Sequence, residues 1–400
     1  MINKSSRRLP LRIGVTLFFV IYIALAVHSE YWLGIVTTHP IGDDFKIYYG
    51  AYLKALAGDN PYEPYGIGSG FIYHPAALTF VGLFSGSGDQ WVSTYLWITI
   101  SLLAWGVSIW LAMRLARSAW TTECKIPGMA LVRPWLVVAI FLNFAPFWET
   151  LHIGQINTFV LVCLLLSLHF AQNDKPVPSG IALAFAIVLK TSPFILLAYF
   201  AVMRKFRVIA SALAGVLVLS AVAALQFSAA VFNQFWDVLP RLASEVYPDT
   251  YNQSILSVLS QILISRGGNH FESALMVGHR LAFASVVGVL LAIGWFIYSS
   301  AKRLSAWLFM ALLTVIVFFS PLVWYHHSTL LLLPLCALLL SPSRVSFITG
   351  LSLVFILQAE RLFEQFVTRA AYPIVATHAV LIGFLCAICF RYELVSPNKI

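Results

Sequence analysis

The sequence predicts an all-α, polytopic integral membrane protein, and three observations predict it. The 400-residue chain is 60% hydrophobic and only 10% charged, whereas soluble domains carry about 25% charged residues. Its apolar residues come in runs close to the length of about 20 residues that a helix needs to cross a bilayer. Its basic residues sit in short connections between those runs, as topology signals do. The net charge of +9 is scattered over many such loops, so no nucleic-acid partner is expected. Cys124, Cys163, Cys336, Cys386 and Cys389 lie in apolar runs or a basic loop, outside any metal-ligand spacing. They read as packing residues, with no metal site and no disulfide. The whole chain, 1–400, reads as one membrane domain without internal repeats.

Taken in order, residues 1–29 place Lys4, Arg7, Arg8 and Arg12 before an apolar run that lacks a small-residue cleavage site. That pattern predicts an uncleaved first span over 12–29, running outward from the cytoplasm. A long outer loop over 30–74 follows. Within it, Asp43 is expected to be the N-cap of a short helix that Gly58 ends, with Pro61 beyond and Asp44 at the first helical position. Phe45, Tyr48, Tyr49, Tyr52, Leu53 and Leu56 are expected on one face, so the helix should lie along the membrane surface. The apolar run 75–86 is too short to cross and is expected to dip in and return.

Further spans are expected at 91–113, 131–148 and 155–171. The segment 179–203 is interrupted by Lys190-Thr191-Ser192-Pro193, and an interior proline removes a helix hydrogen bond. A single kinked span would carry Arg204-Lys205-Phe206-Arg207 and Lys302-Arg303 outside. A reentrant hairpin with Lys190 near its tip keeps them inside and is favoured. Spans over 207–226, 274–299, 304–320, 327–341, 345–359 and 373–390 complete about ten crossings, with large outer-face loops near 30–90 and 227–273.

With that topology the polar residues that interrupt apolar sequence gather on the outer side: Asp43, Asp44, His74, Glu149, His152, Gln155, Asn157, Asn252, Gln253, Ser254, His326 and His327. Lys190 approaches them from within the membrane. Embedded ionisable groups are costly and mark functional sites. A carboxylate, an imidazole pair and an ammonium suit sugar transfer from a lipid phosphate. That reaction needs a base for the acceptor hydroxyl and positive charge for the departing phosphate.

The series Gly42-Asp43-Asp44-Phe45 with Tyr48-Tyr49, Gly58-x-x-Pro61-Tyr62, and Tyr73-x-Pro75 resembles glycosyltransferase family eighty-seven, of the membrane-embedded GT-C superfamily. Gly154-Gln155-Ile156-Asn157, Leu189-Lys190-x-x-Pro193, Asn252-Gln253-Ser254 and Ser320-Pro321-Leu322-Val323-Trp324-Tyr325-His326-His327 continue the likeness in order, over about residues 40–340. The resemblance implies a polyprenyl-phosphate-mannose-dependent α-1,2-mannosyltransferase, inverting and free of metal or other cofactor. Its partners would be a lipid-linked sugar donor and an envelope glycolipid or glycan acceptor. The active site would face outward from the bacterial cytoplasmic membrane. The family's catalytic aspartate maps onto Asp44, with Asp43 as the second choice, and its histidine onto His326, with His327 beside it. Lys190 is assigned with them to the donor phosphate. Tyr48, Tyr62, His74, Gln155, Asn157, Asn252, Gln253 and Trp324 are assigned to substrate. His74 stands where the family usually has a second proline.

Each residue also has a plainer reading. Asp43 can simply cap its helix, and the histidines can be interfacial residues beside Trp324. Lys190 can pair with Glu149. Gln155 and Asn157 can join helices by hydrogen bonds, and Asn252-Gln253-Ser254 can cap a helix. The competing function is a transporter or flippase of a lipid-linked sugar, for which paired broken helices and inverted repeats would be the signal. Only one broken segment is visible. A non-catalytic scaffold for envelope synthesis is a third, weaker reading.

Overall fold

The structure, a computed structural model, describes residues 41–66, 70–120, 129–244, 252–254, 257, 306–318, 320, 322–366, 383–389 and 391. The spans expected at 12–29 and 274–299, and most of that at 373–390, lie outside the described residues, as does Cys124. Every regular element among the described residues is helical. In chain order they are α1 (Asp43–Ala57), α2 (Pro75–Gly82), α3 (Gln90–Ser118), α4 (Met129–Leu142), α5 (Ala145–Ile153), α6 (Asn157–Gln172) and α7 (Pro176–Leu189). Next come a 3-10 turn (Ser192–Ile195), α8 (Leu196–Val202), α9 (Phe206–Phe227), α10 (Ala230–Ser244) and α11 (Ala306–Phe318). A second 3-10 turn (Tyr325–Leu331), α12 (Leu332–Leu339) and α13 (Arg344–Phe366) follow.

Among the described residues, three stretches are long and apolar enough to cross a membrane: Gln90–Ser118, Arg133–Ile153 and Phe206–Phe227. Large apolar side chains stay exposed along them, among them Leu103, Trp110, Leu217 and Leu225. Water solvates such a surface poorly and lipid solvates it well, while the helix satisfies its own backbone.

The first helix is corrected in two respects. The chain enters α1 through Gly42 in the left-handed region, so Gly42 is the N-cap and Asp43 the first helical residue. Asp43 makes no cap hydrogen bond; it pairs with Lys46 at 2.8 Å. Gly58 does end the helix. The buried face is Phe45, Tyr48, Tyr49, Ala51 and Ala55, whereas Leu53 and Leu56 are exposed. Leu53 sits at the margin of the 3.6-residue stripe, and Leu56 lies in a last turn whose neighbours Ala57 and Gly58 are also exposed. The run at 75–86 forms only the eight-residue α2, far short of a crossing.

The span expected at 131–148 is broken at Asn143-Phe144, just ahead of Pro146. Carbonyls and amides freed by the break are re-satisfied from neighbouring helices. Trp105 Nε1 donates to the Phe141 carbonyl at 3.0 Å. Gln358 of α13 donates to the Asn143 carbonyl at 2.7 Å and accepts from the Ala145 amide at 2.6 Å. Orphan backbone groups of this kind are too costly to leave unmade in an apolar bundle. The span expected at 327–341 likewise starts as a 3-10 turn, because Pro334 has no N–H for the Leu330 carbonyl and the preceding stretch tightens.

Contacts along the helices settle how the broken segment runs. Ser179 Oγ donates to the Ser167 carbonyl at 2.8 Å, and Lys190 reaches Asn157 at 2.9 Å, so α7 runs antiparallel to α6. After the extended residue Lys190, the chain turns through the 3-10 turn and α8 and comes back to where α7 began. There Lys205 pairs with Asp174 at 2.8 Å. Both ends of 176–202 therefore lie at one end of the bundle, the hairpin arrangement. The same end collects the C-terminus of α3, where Ser118 meets Gln172, together with Arg117, Lys175 and Arg204. Asp44, Gln155 and Asn157 lie at the other.

Close packing of α7 on α9 depends on Gly180. A Cβ there would stand 2.4 Å from Ser211 Cβ and 2.5 Å from the Val208 carbonyl oxygen. Small residues at such crossings let helix backbones approach in a membrane. Gly180→Val is expected to destabilise the fold by about 1–3 kcal/mol through overpacking. Gly106→Val, where a Cβ meets nothing within 4 Å, is expected to change little. Thermal unfolding of the two variants in the same detergent checks the difference.

Candidate active site

The site forms where the start of α1 meets the junction of α5 and α6. Gly154 makes that junction possible. It closes α5 in the left-handed region with φ 73°, and a Cβ on it would lie 2.8 Å from Phe45 Cβ. The Gly42 amide donates to the His152 carbonyl at 2.7 Å, which ties the start of α1 to the end of α5.

Asp44, the second residue of α1, accepts a hydrogen bond at Oδ2 from Gln155 Nε2. Behind this pair stands a short polar chain. The Tyr73 hydroxyl donates to Gln155 Oε1 at 3.4 Å, and the Tyr48 and Tyr73 hydroxyls are 3.2 Å apart. Burial pushes the Asp44 carboxyl above the ordinary carboxylate value; His326 and the Gln155 hydrogen bond pull it down, and Asp43 and Glu149 push it up again. Burial also raises the Tyr73 and Tyr48 hydroxyls, so both stay protonated donors.

The second half of the site holds two histidines and a lysine. His326 is 5% exposed, and its Nδ1 lies 3.4 Å from Glu149 Oε1 on α5. Its backbone carbonyl accepts from Thr150 and Thr329, which seat the 3-10 turn on α5. His326 Nε2 is buried with no hydrogen-bond partner among the described residues. Beside it His327 accepts the Trp324 amide through Nδ1 at 3.1 Å, within electrostatic reach of Lys190. Lys190 Nζ donates to Asn157 Oδ1 at 2.9 Å, and Asn157 Nδ2, fully buried, is also without a partner among the described residues. Both atoms are therefore left to bond a ligand, and Asn157 Nδ2 does so beside Lys190.

The structure thus brings Asp44, Tyr48, Gln155, Asn157, Lys190, His326 and His327 to one end of the bundle, with Asp43 adjacent. Lys190 pairs with Asn157 rather than with Glu149, which pairs with His326. Other assigned residues make structural contacts. Tyr62 is fully buried, with its hydroxyl on the Tyr73 carbonyl at 2.9 Å and its ring on Phe71 and Phe235. His74 caps α2 by accepting the Ala76 amide at 3.2 Å and packs edge-on against Phe232 and Phe235. Asn252 Oδ1 accepts the Val323 and Ser254 amides at 3.0 and 3.1 Å, and the Gln253 amide donates to the Val323 carbonyl at 2.6 Å. That segment holds the backbone leading into the histidine turn, and Trp324 starts the turn. Tyr73 and Glu149 were not assigned to the site from sequence. Tyr73 stood in the Tyr73-x-Pro75 motif and Glu149 among the outer polar residues, and those were their only signals. Among the described residues no group of three His, Cys, Asp or Glu side chains is placed to hold a metal ion.

The model of glycosyltransferase family 87 matches residues 71–323. No curated protein matches the chain. Among solved structures, the crystal structure of ArnT from Cupriavidus metallidurans bound to undecaprenyl phosphate is similar at 14% identity. The alignment covers 96% of this chain and 78% of that one, with a TM-score of 0.35.

Burial lowers the His74 pKa from 6.5 to about 4. Between those values the unfolded chain binds a proton that the folded protein does not. Stability is therefore complete above pH 6.5 and falls as the pH drops toward about 4. His74→Asn keeps an acceptor for the Ala76 amide and removes the titration. It is expected to flatten the fall in melting temperature across that window, as measured by thermal unfolding at stepped pH.

Proposed function

We propose that this chain, which belongs to glycosyltransferase family 87, transfers a hexose from a polyprenyl-phosphate donor to an envelope glycolipid or glycan. By its resemblance the sugar is mannose, and the fold is of the GT-C type. One observation carries the proposal. A Gln155-held carboxylate lies at the same end of an apolar bundle as His326, His327 and Lys190, where two buried polar atoms have no partner among the described residues.

In this reaction the acceptor hydroxyl gives its proton to Asp44 as its oxygen attacks the anomeric carbon. The bond from that carbon to the phosphate oxygen breaks, and its electron pair leaves with the polyprenyl phosphate. Attack opposite the leaving group inverts the anomeric centre. His326, paired with Glu149 through Nδ1, turns Nε2 toward the phosphate. Lys190 and the Asn157 amide supply further donors. Burial raises the Asp44 pKa, which makes it a stronger base than a solvated carboxylate would be. Donor lipid and acceptor are the two substrates, and no cofactor is invoked.

The basic residues Arg117, Lys175, Arg204 and Lys205 lie at the end of the bundle opposite Asp44, and loops rich in Lys and Arg stay in the cytoplasm. This supports an active site at the outer face of a bacterial cytoplasmic membrane.

Purified protein given polyprenyl-phosphate mannose and a membrane glycolipid extract tests the reading. Wild-type protein is expected to form a new glycosidic product. Asp44→Asn is expected to lower kcat by about 10²–10⁴-fold, the usual worth of a general base. Lys190→Met is expected to raise KM for the donor, with Lys190→Arg milder. Transport of the lipid-linked sugar without any glycosidic product, or undiminished transfer by Asp44→Asn, overturns the assignment.

A further inference from the structure

We propose that Gln155, backed by Tyr73 and Tyr48, is a positioning residue that decides which oxygen of Asp44 takes the proton: Oδ2 is held, and Oδ1 is the base. This rests on the reading of Asp44 as the base, and it moves Gln155 from the substrate-binding role expected of it to one that acts through Asp44.

The orientation of the Gln155 amide follows from its neighbours. The Ile156 backbone N–H can only donate, and it points at Oε1 at 3.2 Å. Oε1 is therefore the carbonyl end, and Nε2 is the end that meets Asp44. With Oε1 accepting from Tyr73 as well, the Tyr73 oxygen has a lone pair left for the Tyr48 hydroxyl. The polarity runs one way, from Tyr48 through Tyr73 and Gln155 to the carboxylate. Gln155 is 7% exposed, Tyr73 8% and Tyr48 3%, and the Gln155 backbone N–H donates to the Thr150 carbonyl at 2.8 Å. A buried chain with every member bonded is rigid. Oδ1 takes no hydrogen bond among the described residues, so it alone is open to an acceptor hydroxyl. The proton of that hydroxyl passes to Oδ1 while the new glycosidic bond forms and the phosphate leaves, and later passes to water.

The titratable groups that act on Asp44 are Asp43 and Tyr48 on α1, Tyr73 before α2, Glu149 on α5 and His326 on the 3-10 turn. None of them donates to Oδ2; Gln155 does.

The test compares pH profiles of kcat/KM for wild type, Gln155→Glu, Tyr73→Phe and Asp44→Asn, using polyprenyl-phosphate mannose with a membrane glycolipid extract. Gln155→Glu sets a second carboxyl against Oδ2, and two carboxyls at one site share a proton. Its acid limb is expected to move up by at least about one pH unit, with transfer recovering in alkali. Tyr73→Phe is expected to lower kcat several-fold, leave KM for the donor unchanged and shift the acid limb upward by less. Thermal unfolding checks that each variant folds. If Gln155→Glu does not fold, Gln155→Asn takes its place; its amide stops one methylene short of Oδ2, and it is expected to lose kcat without gaining KM. Acid limbs that overlay wild type while Asp44→Asn is inactive overturn the positioning role and leave the base in place. A rise in KM alone for the Gln155 variants does the same and returns Gln155 to substrate binding. Full transfer by Asp44→Asn removes the base, and the positioning role falls with it.

Discussion

The nine residues from Glu149 to Asn157 hold the site together. Within one helix end, one left-handed glycine and one helix start, this junction grips three segments that lie far apart in the chain. Glu149 takes His326, Gln155 takes Asp44, and Asn157 takes Lys190. The physical demand behind the arrangement is that ionisable groups in an apolar bundle must find partners or give up their charge. Each gripping side chain is a carboxylate or an amide, able to accept from or donate to the group it holds.

The rest of the fold can be seen as what keeps that junction in place. Phe45 and Trp97, with ring centroids 4.9 Å apart, press α1 against α3, while Gly154 lets α5 turn without displacing Phe45. The histidine turn is fixed twice, by Thr150 and Thr329 on the α5 side and by Asn252 on Val323. Lys190 is delivered by a hairpin whose near ends are locked at the far end of the bundle by Lys205 and Asp174. Hairpin, glycine crossing and polar junction therefore constrain one another, and a shift in any of them is felt as a change in side-chain geometry at Asp44.

Much of this was legible in the sequence where the signal is local. The Asp43-Asp44 pair, the Gly58 stop, the interruption at Lys190 and the His326-His327 pair each announce themselves within a few residues, and the charge pattern favours the hairpin whose two ends the structure brings together. Less legible was whatever depends on partners far along the chain. That Asp43 would bind Lys46 rather than cap its helix turns on Gly42 being drawn to the His152 carbonyl. The break at Asn143 is tolerated only because Gln358 satisfies it from 213 and 215 residues away. Nor was it legible which rings would pack on Tyr62 and His74. In the fold Phe71, Phe232 and Phe235 enclose them. Tyr73 and Glu149 gained their roles only through Gln155 and His326, contacts of 82 and 177 residues separation.

The shared junction also bears on how the two halves of the proposed reaction are timed. Attack by the acceptor oxygen and departure of the phosphate need a proton acceptor and a phosphate anchor at fixed positions on either side of one sugar carbon, and small misplacements cost heavily. Had Asp44 and Lys190 been carried on separate mobile loops, their separation would vary with every loop motion. Here Gln155 and Asn157 are two residues apart, on either side of Ile156, which is fully buried and directs its own amide to Gln155. The separation of base and anchor is thus set by the start of a single helix. Sugar binding has to supply only the donor and the acceptor, because the protein's own groups are already held in place.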